Sequence, residues 1–185
     1  MQNFKLIIEY DGSAYHGWQR QAGDATIQEE IEKALARMTR QAVTLIGSGR
    51  TDAGVHAKGQ TANFASDTRI SPHEFQKGLN SMLGGGIVIR SCEIVPESFH
   101  SRYDVTSKTY RYRIRNHPLP QAIGRQYQWH IRSPLDTDAM RSASRHLLGS
   151  HDFKAFEGAG SPRQHSVREI LRAEWQPEAD HRLTF

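Results

Sequence analysis

The sequence contains a single cysteine, Cys92, among 185 residues. A lone cysteine cannot form an intramolecular disulfide, and it excludes a zinc site built from several cysteines. The ten histidines show no His-Glu-x-x-His motif or comparable ligand spacing. We therefore expect no metal site, and a reducing compartment suits such a chain.

Long apolar runs are also missing. Runs such as Leu6-Ile7-Ile8 are far too short to cross a bilayer. The first ten residues, MQNFKLIIEY, lack the basic start and long apolar stretch of a signal peptide. We expect a cytoplasmic protein with no membrane segment.

The composition allows a packed core, since 37% of residues are hydrophobic and 24% are charged. The formal net charge is +4. A basic excess of this size suits a polyanionic partner, and it is equally typical of ordinary surface charge. Net charge alone does not decide between these interpretations.

The first half of the sequence shows the pattern of a mixed α and β unit. We predict strands at residues 4–10, 43–46, 60–65 and 87–95. Thr26 with Glu29, and Ser71 with Glu74, match the capping box that begins a helix. The order β-α-β-β-α-β is ferredoxin-like, as in an RRM. We predict an α+β fold in which two helices cover one face of an antiparallel sheet.

The remaining residues indicate a second unit, also of α+β type. We predict strands at residues 108–115 and 167–175 and another beginning near His181. Asp136 is placed to cap a helix, with Leu135 and Met140 as a hydrophobic staple. The predicted units are therefore residues 1–97 and 98–185.

The predicted strand at 108–115 alternates between two residue types. Tyrosines and an isoleucine occupy one face, and arginines occupy the other face: Tyr110, Tyr112 and Ile114, then Arg111, Arg113 and Arg115. Three like charges on one face repel each other unless something negative covers them. RNA phosphates and nearby acidic side chains both fit this pattern.

The most informative stretch is the glycine-punctuated segment at residues 47–56, GSGRTDAGVH. It follows a predicted strand and contains Asp52, two residues after Arg50. A neighbouring guanidinium favours an ionised carboxylate, which can act as a covalent nucleophile. Asp52 also fits a simpler role, closing an Asx turn before Ala53-Gly54. The residues alone leave both interpretations open.

Residues 47–64, GSGRTDAGVHAKGQTANF, closely resemble the signature loop of the tRNA pseudouridine synthase A family. The opening segment EYDGSAYHGWQRQ at residues 9–21 resembles the family as well. Weaker matches follow in the family's order, at residues 99–102, 108–112, 151–153 and 167–170. The match in the loop is highly specific to the family, and the other matches, each weaker alone, are strong evidence when taken together.

The resemblance implies an enzyme that isomerises uridine to pseudouridine at positions 38 to 40 of the tRNA anticodon stem-loop. It implies a homodimer with no cofactor and no metal. The family's invariant aspartate falls on Asp52, its neighbouring arginine on Arg50 and its active-site tyrosine on Tyr110. We also predict Arg20 and Arg102 as RNA contacts.

One carboxylate suffices for this isomerisation, by attack on C1′ of the sugar or on C6 of the base, and the sequence does not choose. A hydrolytic glycosidase usually needs two carboxylates. After Asp52 the next acid is Asp67, which favours an isomerase. A paired uridine must also leave its stack, at a cost of a few kcal/mol. Arg50 is suited to hold the opened helix, and Tyr110 to stack on the base.

Two other interpretations remain. A noncatalytic RRM-like RNA-binding module would share the element order, but Lys58-Gly59 is followed by Gln60 and not by the aromatic of the RRM signature. A small-molecule enzyme would use the glycine-rich loop for phosphate. That loop lacks the P-loop lysine, and no Rossmann fingerprint occurs.

The sequence stops at residues 182–185, RLTF, within an alternating strand pattern. In the family that it resembles, this strand continues into a long apolar helix with a Met-Val-Arg motif, whose arginine completes the active site. We therefore expect these residues to be an incomplete copy of the enzyme.

Overall fold

The computed structural model describes residues 1–157 and 165–185. It divides into two compact units, Met1–Lys108 and Thr109–Phe185. The paired strands of each sheet belong to the same unit, and each unit is described separately. Within the described residues, no helix combines the length and the apolar character needed to cross a membrane.

The first unit alternates strands and helices in the predicted order. Its elements are β1 (Gln2–Tyr10), α1 (Ile27–Thr39), β2 (Ile46–Gly47), β3 (Ala57–Ser66), α2 (Pro72–Met82) and β4 (Ile87–Val95). The sheet order is β2-β3-β1-β4, and every neighbouring pair is antiparallel. The predicted α+β class is therefore confirmed.

The second strand is shorter and later than the predicted strand at 43–46. The backbone of Leu45 is bound to helix α1 and not to a strand. Leu45 N donates to Oε1 of Glu32 at 2.9 Å, and Gln28 Nε2 donates to Leu45 O at 3.0 Å. The Leu45 side chain is buried in the core, and the strand segment that pairs with β3 is Ile46–Gly47.

The core of the first unit lies between both helices and one face of the sheet. Alternate residues of β1 point into it, including Phe4, Leu6 and Ile8. Phe4, Phe64 of β3 and Phe75 of α2 pack with ring centroids 4.9–5.2 Å apart. The prediction that two helices cover one sheet face is confirmed.

The two predicted capping boxes have different outcomes. At α2, Ser71 Oγ accepts from Glu74 N, and the Glu74 carboxylate accepts from Ser71 N at 2.8 Å. At α1, Thr26 makes no side-chain cap hydrogen bond, and that predicted box is wrong. The carboxylate of Glu29 faces Lys33 at 3.4 Å and Arg20 at 3.7 Å instead.

The segment after β4 belongs to the first unit because it hydrogen bonds back to the sheet. Asn3 Nδ2 donates to the carbonyls of Pro96 and Phe99, at 3.1 and 2.9 Å. Ser101 N donates to Asn63 Oδ1 at 2.9 Å. These bonds carry the first unit past the predicted boundary at residue 97, to Lys108.

Within the described residues, the second unit contains short strands and one α-helix. Its elements are β5 (Arg113–Asn116), β6 (Trp129–Ile131), α3 (Thr137–Arg145), β7 (Gly149–Asp152), β8 (Val167–Ile170), β9 (Gln176–Glu178) and β10 (Arg182–Thr184). One sheet has the order β6-β5-β10-β9, and β7 pairs with β8. Asp136 caps α3 as predicted, accepting from Ala139 N at 2.9 Å.

The three arginines predicted to share one strand face differ in their surroundings. Regular strand begins only at Arg113, and the predicted strand at 167–175 likewise shortens to Val167–Ile170. Arg115 is 8% exposed, and its Nη1 lies 2.6 Å from Oδ2 of Asp180. The turn at Asp180 and His181 has positive φ at both residues, and it presents this carboxylate to Arg115. An acidic partner thus covers Arg115.

Because Ser71 caps α2 and Thr26 does not cap α1, loss of the side-chain hydroxyl should lower stability at Ser71 and have little effect at Thr26. Ser71→Ala should lower the free energy of unfolding by about 1 kcal/mol, because it frees a backbone donor at the start of α2. Thr26→Val should change it by less than about 0.5 kcal/mol, because the buried Thr26 Oγ1 has no hydrogen-bond partner in the described part of the chain. Urea denaturation of both variants measures this. Equal losses would show that Thr26 caps α1 in solution.

Candidate active site

Asp52 lies in the loop that joins β2 to β3. Its backbone carbonyl accepts from Val55 N at 3.2 Å, and Gly54 has φ of +77°. The turn that the sequence predicted is therefore closed by the carbonyl of Asp52 and not by its side chain. Within residues 1–157 and 165–185, the Asp52 carboxylate accepts no hydrogen bond, so this exposed group is open to a ligand.

The segment between β1 and α1 holds this loop from one side. Trp18 N donates to Thr51 O at 3.0 Å, and Gly54 N donates to Tyr15 O at 3.2 Å. The indole of Trp18 is 3% exposed and lies against Gly47. Trp18 is therefore a core residue, and its place in the core fixes the backbone that binds Thr51.

The two segments approach so closely that side chains would not fit between them. A Cβ on Gly12 would lie 2.1 Å from the carbonyl oxygen of Val55. A Cβ on Gly17, whose φ is +91°, would lie 2.5 Å from the carbonyl oxygen of Thr51. Both neighbours are backbone atoms, so glycine is required at both positions for this packing.

Three side-chain contacts add to this attachment. The hydroxyl of Tyr10, at the end of β1, lies 2.8 Å from Thr51 Oγ1. Nδ1 of His56 lies 3.1 Å from Gly12 N and 3.0 Å from Oδ1 of Asp11. Both ends of the Asp52 loop are therefore bound to the end of β1.

An open cleft of about 530 Å³ lies beside the loop. Two short segments line it: His16, Gln19, Arg20, Gln21 and Asp24, and then Arg50, Thr51, Asp52 and Ala53. Three of the predicted site residues, Asp52, Arg50 and Arg20, are thus brought together. Arg102 does not line this cleft.

The two arginines of the cleft differ in their partners. Arg20 lies near two carboxylates of α1, with Nε 3.7 Å from Glu29 and Nη1 3.8 Å from Glu32. Arg50 has no acidic partner within 4.0 Å in the part of the chain that the structure describes. An anionic ligand would meet an uncompensated guanidinium at Arg50, whereas at Arg20 it would compete with Glu29 and Glu32.

The cleft also contains a carboxylate that the sequence did not indicate. Asp24 lines the same cleft as Asp52, and its Oδ1 lies 3.7 Å from Nδ1 of His16. Among the acids that follow Asp52 in the sequence, Asp67 is the first. Folding of the segment before α1 brings an earlier acid to the site, so separation along the chain is no argument against a second carboxylate.

Arg102 and Tyr110 occupy different units. Arg102 is exposed in the loop after β4, where its N donates to Nδ1 of His100 at 3.2 Å. Tyr110 is 68% exposed and precedes β5 of the second unit. The sequence did not single out Lys108, yet its Nζ lies 2.9 Å from where a Cβ on Gly49 would be. This places an ammonium group at the base of the Asp52 loop.

No metal site is found among the described residues, where histidine, cysteine and carboxylate side chains form no group of three or more suited to hold an ion. Within the described residues, the Asp52 carboxylate accepts no hydrogen bond and Arg50 has no acidic partner within 4.0 Å, and both line the cleft. These two groups are suited to nucleophilic attack on a substrate that carries phosphates.

Comparison with known proteins agrees with this chemistry. The family model described as tRNA pseudouridine synthase matches residues 6–104 and 143–185. A protein named tRNA pseudouridine synthase A 2, from Clostridium perfringens (strain 13 / Type A), is 46% identical over 170 residues. That match covers 92% of this chain and 70% of the relative.

Two further relatives are named tRNA pseudouridine synthase A. The protein from Acetivibrio thermocellus is 46% identical over 92% of this chain and 70% of its own length. The protein from Ruminiclostridium cellulolyticum is 42% identical over 100% of this chain and 76% of its own length. The matched residues include Arg50 and Asp52 and most of both units. The chain therefore belongs to the tRNA pseudouridine synthase family, a family of isomerases.

Proposed function

We infer that this chain converts uridine to pseudouridine at positions 38 to 40 of the tRNA anticodon stem-loop, with Asp52 as the nucleophile. The observation that carries the proposal is the Asp52 carboxylate, which is free of hydrogen bonds within the described residues and lines a cleft with Arg50 and Arg20. Membership of the family supplies the reaction type.

The reaction leaves the composition of the nucleotide unchanged. The bond between N1 and C1′ breaks, the base turns, and a bond forms between C5 and C1′. A proton leaves C5, and N1 takes one up. Asp52 forms a transient ester at C1′ or an adduct at C6, and either bond breaks again before the product leaves. Both routes need one carboxylate held at a fixed place beside the flipped nucleotide.

The other proposed site residues bind the RNA. The role of Arg50 is proposed because its guanidinium is exposed in the cleft. There it is suited to bind a phosphate or the strand opened by base flipping. Arg20 contacts a phosphate at the cleft edge, in competition with its carboxylate neighbours. Tyr110 offers a ring for base stacking, and Arg102 a further phosphate contact. These last two roles rest on the family resemblance.

A noncatalytic RRM-like module is the alternative function, and the first sheet argues against it. An RRM stacks bases on aromatic side chains of its open sheet face. The aromatic residues of β1 and β3 are Phe4, Tyr10 and Phe64, and all three are buried. The open face presents residues such as Lys5, Ile7 and Glu9, which offer no stacking surface.

We also propose the finer features that the family resemblance implies. The first unit would be a ferredoxin-like unit, which its sheet order β2-β3-β1-β4 supports. The first unit would supply the catalytic loop, and the second would be a further α+β unit. The enzyme would act as a cytoplasmic homodimer without cofactor or metal.

Substitution of Asp52 tests the nucleophile directly. Asp52→Asn keeps the size of the side chain and removes its charge, so pseudouridine formation should be abolished while tRNA binding stays within about threefold. Asp24→Asn is the matched control, because it makes the same chemical change in the same cleft. It should retain turnover. Pseudouridine mapping on an unmodified tRNA transcript measures both. Activity of Asp52→Asn near the unsubstituted rate would remove Asp52 from this role.

The position of modification needs a separate experiment. An unmodified transcript with uridines at positions 38 to 40 should acquire pseudouridine there. A transcript with cytidines at these positions, compensated to keep the stem paired, should acquire none. If the second transcript acquires pseudouridine at the same yield elsewhere, the chain is a synthase but the proposed position of modification is refuted.

The arginines before and within β5 give a prediction about salt. Arg111→Ala and Arg113→Ala should each reduce the slope of log Kd against log salt by about one if these side chains contact phosphates. Arg115→Ala should leave the slope unchanged and lower Tm, because Arg115 pairs with Asp180. Titration of tRNA at several salt concentrations measures the slopes.

The acidic alternative for these arginines also has a structural basis. The pKa of Glu178 is lowered first by a hydrogen bond from Thr184 and then by the charges of Arg113, Arg182 and Arg111. If Glu178 is the main partner of Arg111 and Arg113, the salt slope of the double alanine variant will equal that of the unsubstituted protein.

A further inference from the structure

The hydrogen bond between Tyr10 and Thr51 joins the hydrophobic core to the residue that precedes Asp52. Tyr10 is 2% exposed and ends β1, the central strand that pairs with both β3 and β4. Its hydroxyl reaches out of the core to Thr51 Oγ1 at 2.8 Å. A rigid element of the fold thus contacts the loop one residue away from the proposed nucleophile.

The ring of Tyr10 is fixed, so its hydroxyl has little freedom. The ring lies 6.0 Å from that of Trp18, and both are part of the core cluster. Burial is the main cause that raises the pKa of Tyr10 above its ordinary value. The hydroxyl therefore stays protonated through the neutral range and remains available for this hydrogen bond.

Thr51 is held at two atoms by two different segments. Its carbonyl accepts from Trp18 N at 3.0 Å, and its side-chain oxygen contacts the Tyr10 hydroxyl. The carbonyl of Asp52 is fixed in the turn with Val55. The Asp52 carboxylate itself has no hydrogen bond in the described part of the chain. Its position must therefore come from the backbone on either side of it.

We propose that Tyr10 is a positioning residue for the isomerisation, acting through its hydrogen bond to Thr51 to fix the backbone from which Asp52 projects. Tyr10 is buried and does not line the cleft, so it acts without touching the nucleotide. This inference rests on the proposed role of Asp52.

The hydrogen bond can be removed from either side with little change in shape. Tyr10→Phe keeps the ring, and Thr51→Val keeps the volume of threonine. Each should lower kcat by about tenfold to a hundredfold, since small displacements of a reacting group carry costs of this order. KM should change by less than about twofold, because the cleft that binds RNA is retained.

Two further variants separate positioning from general damage. Thr51→Ser retains the side-chain oxygen and should keep most of kcat. Tyr112→Phe removes the same hydroxyl at an exposed site in the second unit and should leave kcat and KM unchanged. The double variant Tyr10→Phe with Thr51→Val should be no slower than the slower single variant, because one shared bond is lost in all three.

Single-turnover and steady-state kinetics on a tRNA transcript measure these effects, with Tm recorded for each variant. Unchanged kcat in Tyr10→Phe and Thr51→Val, or losses that multiply in the double variant, would overturn the inference. A rise in KM with unchanged kcat would also overturn it. If Tyr10→Phe is normal while Asp52→Asn is inactive, the positioning role fails and the proposed function stands. An active Asp52→Asn would instead refute the proposed nucleophile.

Discussion

Direct backbone contact between the segment after β1 and the Asp52 loop is the constraint on which the cleft depends. Glycine at positions 12 and 17 permits it, because any Cβ there would overlap a carbonyl of the loop. Without this contact Trp18 could not donate to Thr51, and the two lining segments of the cleft would separate. The glycines of the opening motif and the glycine-punctuated loop that follows β2 thus serve one packing arrangement.

The sequence predicted the elements of the first unit well where local chemistry decides the structure. The Ser71 capping box and the apolar alternation of β1 are local signals, and both appear as expected. The box at Thr26 failed because Glu29 has competing partners in Lys33 and Arg20, and Arg20 lies outside the helix. The second strand shortened because Glu32 and Gln28 of α1 bind the backbone of Leu45. Such competition between distant groups is not visible in a local pattern.

The site residues divide in the same way, into those that the sequence indicated and those that only folding brings to the site. The motif identified Asp52 and Arg50 because the family resemblance fixes them residue by residue, and they line one cleft. Asp24 and Tyr10 were missed because neither belongs to the loop and each reaches it only through folding. Strand alternation placed Arg115 on a face that RNA phosphates or acidic side chains could cover, and the turn at Asp180 supplies an acidic partner that alternation alone could not identify. Spatial partners decide these roles, and sequence order does not encode them directly.

On the proposed function, the way Asp52 is held explains how one carboxylate can be both fixed and reactive. Hydrogen bonds to a carboxylate stabilise its charge and so reduce its strength as a nucleophile. Asp52 has none in the described part of the chain, and its order comes from its neighbours: the turn to Val55, and Thr51 held by Trp18 and Tyr10. The carboxylate is exposed in the open cleft, and a flipped nucleotide would exclude solvent from it. Substrate binding would then strengthen the nucleophile at a position that the backbone has already fixed.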